Sequence, residues 1–164
     1  MFTRLLHLVA CIFLGLSLPG CVSFNVGKEI PKSKGVLVRE PGRPFREVVL
    51  AGADRAWKSD SSGNTISYFS ECSNQPSTLE RFRNDSLVSL PGASIRESKS
   101  IDFDGREGLH SLVEGKVDGI PVRLSLVNYQ KNGCSYALTY VARPALFESE
   151  VAEFNRFTEG FKAP

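Results

Sequence analysis

Histidine is almost missing from this sequence: its 164 residues hold two, His7 and His110, and one methionine and one tryptophan. That scarcity excludes a histidine-rich metal centre and any relay built on several imidazoles. A Ser-His-Asp triad would have to use His110, yet no Gly-x-Ser-x-Gly elbow exists to raise a nucleophile, and Gly92-Ala93-Ser94 reads as a helix exit. Glycine-rich phosphate loops, cysteines in C-x-x-C spacing and basic stretches interleaved with aromatics are absent as well. Charge of one sign is not in excess, with 20 basic residues against 18 acidic ones, so nothing general points to nucleic acid as a partner. Nor is there an apolar run of the roughly 20 residues that a membrane-spanning helix needs.

What the first residues do hold is a charged start at Arg4, an apolar core of about a dozen residues from Leu5 to Leu16, and small residues before a cysteine. A charged start, a short apolar core and a small-residue cut site describe a secretory signal peptide, set aside in fold reasoning. Leu18-Pro19-Gly20-Cys21 resembles the lipobox of bacterial lipoproteins, with an aliphatic residue at −3, a small one at −1 and the cysteine that takes the lipid. The resemblance implies a diacylglycerol thioether on Cys21 and cleavage just before it. Acyl chains contribute about 0.8 kcal/mol per buried CH2, so two or three of them would keep the protein on its membrane. Val22 stands where some enterobacterial lipoproteins carry an inner-membrane retention aspartate, so the same resemblance implies the outer membrane, facing the periplasm.

The chain then divides into a signal peptide at 1–20, a lipidated basic tether at 21–44 and one domain at 45–164. The tether stretch carries Lys28, Lys32, Lys34, Arg39 and Arg43 with Pro31, Pro41 and Pro44, which suits an extended, solvated linker. Within it, Val36-Leu37-Val38 is apolar enough for a short edge strand. Of the four cysteines, Cys11 falls in the signal peptide and Cys21 takes lipid, leaving Cys72 and Cys134. In an oxidising compartment two remaining thiols most simply form a disulfide; the competing use, a reactive or metal-binding pair, lacks a neighbouring histidine or C-x-x-C spacing.

Between residues 95 and 142, three dipeptides, Asp104-Gly105, Asp118-Gly119 and Asn132-Gly133, recur at intervals of fourteen residues. They supply the positive φ angles of tight hairpins, and predict four antiparallel strands at 95–103, 106–117, 120–131 and 134–142. A further strand is expected at 65–72, with a partner near 56–59. The capping-box pattern Ser77-Thr78-Leu79-Glu80 predicts a helix carrying Leu79, Phe82, Leu87 and Leu90 and ending at Pro91-Gly92. A last helix is expected after Pro144, with Phe147, Val151, Phe154, Phe157 and Phe161 on its inner face. Strands, a helix, a meander and a terminal helix make an α+β chain with an antiparallel sheet. This layout, with Glu153-Phe-Asn-Arg-Phe157-Thr-Glu-Gly-Phe161, resembles the α/β/α sandwich of the PsbP-like group, which takes in the photosystem II extrinsic subunit P and DcrB-like lipoproteins. The resemblance spans roughly residues 45–162 and implies a non-catalytic domain that binds or stabilises membrane-associated partners.

The remaining candidates for chemistry are few. Asp102, Asp104 and Glu107 flank the first hairpin and superficially imitate a calcium loop, without the twelfth-position glutamate or the helices that an EF-hand needs. No cofactor or metal site is expected, and no enzymatic activity. Two functions remain: an envelope accessory module that binds a protein partner, and a carrier of a small apolar or lipidic ligand. The second requires a cavity lined by residues such as Leu124, Leu126, Tyr136 and Phe154.

Overall fold

The computed structural model describes residues 30–73 and 77–164, so Cys11 and Cys21 lie outside the described residues. Its strands are β1 (Phe45–Val48), β2 (Arg55–Ser59), β3 (Thr65–Cys72), β4 (Ser94–Phe103), β5 (Arg106–Val117), β6 (Ile120–Lys131) and β7 (Cys134–Ala142), with helices α1 (Leu79–Ser86) and α2 (Phe147–Glu159). They form one antiparallel sheet in the order β1-β2-β3-β7-β6-β5-β4. Each expected hairpin is present: Asp104, Asp118 and Asn132 have φ near +50° and the following glycines φ between 70° and 79°, the two consecutive positive angles that match the right-handed strand twist.

Alternation sends side chains to two faces, and a helix covers each. Beneath α2 lie Trp57, Ile66, Tyr68, Val127, Tyr129, Tyr136, Leu138 and Tyr140, closed over by Phe147, Phe154, Phe157 and Phe161. Beneath α1 lie Val113, Val122, Leu124, Leu126 and Ala137, closed over by Phe82, Leu87 and Leu90. Leu124 and Leu126 therefore pack on the α1 face and Tyr136 and Phe154 on the α2 face, so those four cannot line a single ligand cavity. Strand β6 is apolar on both sides because it is covered on both sides.

Three expectations are corrected. The cap of α1 is Thr78, whose side chain accepts from Arg81 N at 3.2 Å, one residue later than the Ser77-to-Glu80 box requires. The helix also stops at Ser86, short of Pro91: Ser86 Oγ donates to Phe82 O at 2.8 Å, and the chain then tightens into bonds from Leu87 N to Asn84 O and from Val88 N to Asp85 O; Leu87 and Leu90 reach the core from the turns that follow. Those turns lie close against β5, where a Cβ on Gly115 would meet Leu90 at 2.7 Å. Finally, the tether is fastened well before residue 44. Pro31 O accepts from Cys72 N at 2.8 Å, Ser33 bonds Ser70 and Tyr136, and Lys32 pairs with Asp54 at 2.9 Å. Its expected strand is reduced to a bridge between Leu37 and Lys162.

A polar clasp ties the layers together. Glu150 in the first turn of α2 accepts from Ser59 (2.7 Å), Ser61 (3.1 Å), Ser62 (2.6 Å) and Asn64 (2.8 Å), locking the β2–β3 turn to the helix. Burial opposes its charge, yet these donors hold its carboxyl below the ordinary carboxylate range. A depressed folded pKa means stability that is present above the ordinary carboxylate pKa and is lost as pH falls through the folded one. Glu150→Gln is therefore expected to cost about 1–3 kcal/mol at neutral pH and to flatten the acid limb of a stability-versus-pH curve. Urea melts between pH 3 and pH 7 check this, and an unchanged acid limb would show that the clasp contributes nothing.

Candidate functional site

His110 projects from β5 with its Nε2 2.8 Å from Ser125 Oγ. Burial lowers its proton affinity, Lys99 lowers it further and Glu97 opposes them, so the ring is neutral at neutral pH. No described carboxylate hydrogen-bonds this imidazole. A half-buried histidine joined to a buried serine, without a third group to orient it, lacks the geometry of a relay.

The apparent calcium loop is likewise already used. Asp104 accepts from Lys131 Nζ and from Ala163 N, each at 3.0 Å, with Lys162 at 3.4 Å. Burial works against its charge, but Lys131, Ala163 N–H and Lys162 together keep its carboxyl below the ordinary range. Lys131 also donates to Ala163 O and Asn132 to Pro164 O, so this hairpin end clamps the C-terminal residues. Glu107 takes Ser100 at 2.7 Å, and among the described residues no cluster of three His, Cys, Asp or Glu could hold a metal.

Cys72 and Cys134 are joined by a disulfide, with Cα atoms 4.0 Å apart. They face each other because β7 pairs with β3 in the register Cys72↔Cys134. This bond is one element of the sheet end reached by the N-terminal segment.

What stands out on the surface is the placement of the exposed large apolar residues. The eight among the described residues divide into two groups at opposite ends of the sheet. Ile30, Leu37, Val49 and Leu50 lie at the end where the N-terminal segment enters, beside the disulfide, the β1–β2 turn and the C-terminal clamp. Val88, Ile95, Val117 and Ile120 lie at the other, distal end, where β5 meets β6 and β4 begins. At the distal end a shallow groove of about 550 Å3 runs between the turn after α1 and the β5–β6 hairpin, walled by Pro91, Pro121 and Pro144. Its charged rim is Arg96, Glu114 and Lys116, with Glu114 held by Arg96 (2.8 Å) and Arg123 (3.0 Å).

Sequence reasoning had not singled out these two apolar ends. Val117 and Ile120 flank the Asp118-Gly119 turn as strand ends, Ile95 begins an expected strand, Val88 falls within the expected helix, and Val49 and Leu50 fall in the domain expected from residue 45. The sequence showed no sign that they divide between two poles, because that depends on which loops share an end of the sheet.

The sheet order and the two covering helices can now be set beside known structures. The crystal structure of LpqN, involved in cell envelope biogenesis of Mycobacterium tuberculosis, superposes with a TM-score of 0.59 at 12% identity, covering 85% of this chain and 88% of that one. The solution structure of cyanobacterial PsbP (CyanoP) from Synechocystis sp. PCC 6803 superposes at 0.52 with 12% identity, covering 74% and 83%. The fold is PsbP-like. No protein-family model matches the chain, and no curated protein matches it by sequence. At this identity the likeness concerns the fold alone, and the PsbP-like arrangement locates no site residue. Function has to be argued from the surface.

Proposed function

We propose that this chain is a lipoprotein of the bacterial cell envelope, held by lipid on Cys21 and facing the periplasm from the outer membrane, whose PsbP-like domain is a non-catalytic module that binds an envelope protein. The observation that carries the reading is the distal end of the sheet, where the groove walled by Pro91, Pro121 and Pro144 shares one end with the exposed Val88, Ile95, Val117 and Ile120, opposite the end where the N-terminal segment enters. Three further observations support it. The lipobox pattern ends at Cys21, nine residues before Ile30. The cores on both faces are filled by aromatic and aliphatic side chains. LpqN, which shares the fold, is described as involved in envelope biogenesis. A module of this kind works through contact area, and a few exposed anchors dominate such binding.

Complementation of a deletion strain tests the reading. His110→Ala is expected to restore the wild-type phenotype in full, and Val117→Asp with Ile120→Asp to fail while the protein stays folded and in the membrane fraction. The opposite pattern, loss with His110→Ala and rescue with the double aspartate variant, would assign the function to chemistry at β5.

A further inference from the structure

The β1–β2 connection ends in five uncharged residues, Val49-Leu50-Ala51-Gly52-Ala53, of which Val49 is fully exposed and Leu50 is 46% exposed. They form a defined tip: Ala53 N donates to Leu50 O at 3.2 Å, and Gly52 takes φ +84°, the left-handed conformation such a turn requires. The base of the tip is rigid and its charges are paired. Asp54 N donates to Tyr68 O at 2.9 Å, and the Asp54 carboxylate holds Lys32 and Ser70. Arg55 makes two bonds to Glu47, at 2.7 and 2.9 Å, and reaches Glu40 as well. An uncharged, partly aliphatic tip thus projects from a collar of ion-paired side chains, where isolated exposed aliphatics elsewhere on a protein would need no explanation.

The same end of the sheet receives the N-terminal segment, whose first described residue, Ile30, is also exposed. Eight residues lie between Cys21 and Ile30, and at full extension the two ends are at most about 30 Å apart. Lipid on Cys21 would therefore hold Ile30, and the sheet end around it, within about 30 Å of the bilayer. We infer that the Val49–Leu50 tip is a membrane-docking element, seated in the interface of the bilayer to which the chain is anchored; this rests on the lipid anchor proposed above. Two aliphatic side chains bind a bilayer weakly on their own, but the anchor makes the contact intramolecular, at high effective concentration. Docking at this pole orients the strands away from the membrane and presents the distal groove to the periplasm.

The full lipidated chain with Ala51→Cys, labelled with a polarity-sensitive fluorophore, is reconstituted into phosphatidylethanolamine and phosphatidylglycerol vesicles containing brominated lipid. Lys116→Cys at the distal pole is the reference, and mass spectrometry of the same samples reads the lipid on Cys21. Quenching at position 51 is expected to exceed that at position 116 by about threefold or more, and to fall to the reference level when Leu50→Asp is added. A lipidated chain with equal quenching at both positions overturns the docking and leaves the anchor standing. An unlipidated Cys21 overturns the anchor reading and the docking with it. Shielding of the label at 51 without vesicles, at concentrations where the chain self-associates, assigns the tip to a second copy and overturns the docking too.

Discussion

Phe157→Ala is expected to lower the free energy of unfolding by about 3–5 kcal/mol, the range for truncating a buried aromatic where the site cannot collapse. Phe157 lies on the inner face of α2, almost fully buried, with its ring 5.5 Å from Trp57, 6.0 Å from Phe161 and 6.4 Å from Phe154. Phe161 in turn contacts Tyr68, Tyr129 and Tyr136 on three strands. Removing one ring from this stack deletes dispersion contacts that the remaining rings cannot close, because Trp57 is held by β2, Phe154 by α2, and Phe161 by its packing on Tyr68, Tyr129 and Tyr136. Urea denaturation followed by Trp57 fluorescence measures the loss directly. A loss below about 1 kcal/mol would mean that α2 is not seated on the sheet as described.

The second large effect is expected from Cys72→Ser with Cys134→Ser. The bond links residues 62 apart in sequence, enclosing α1 and three strands of the meander. In the chain-entropy model, freeing a loop of that length from the unfolded state costs about 4 kcal/mol. The eight-residue β3–β7 pairing remains without the bond, so the variant is expected to keep the same circular dichroism and to melt at lower urea concentration. Equal midpoints for the variant and the oxidised wild type would mean that the bond adds no stability.

The fold was largely legible because its signals are local. Each Asp-Gly or Asn-Gly pair sets its own backbone angles, so the meander strands from 106 to 142 were placed to the residue. The aromatic spacing of the last helix likewise needs no distant partner to be read. Errors arose where two local signals competed. Ser77 and Thr78 are both fit caps, and the choice between them depends on which hydroxyl the first turn can reach. α1 tightens into three-residue turns after Ser86 although the apolar spacing continues to Leu90. The segment at 30–44 was read as tether on its charge and prolines, yet Lys32 and Ser33 find partners on Asp54, Ser70 and Tyr136, residues far away in sequence.

By itself, then, the sequence determined the strands, the turns, the two helices and the lipobox-like run that ends at Cys21, because each depends on residue identity and short spacing. Only the tertiary structure decided that β7 inserts between β3 and β6, which brings Cys72 opposite Cys134. It alone separated Leu124 and Leu126 from Tyr136 and Phe154, removing the supposed cavity. It alone divided the exposed aliphatics between the N-terminal and distal ends of the sheet. The reason is that strand order and layer assignment follow from how complete elements bury their faces against one another, and that choice joins residues with no local signal in common.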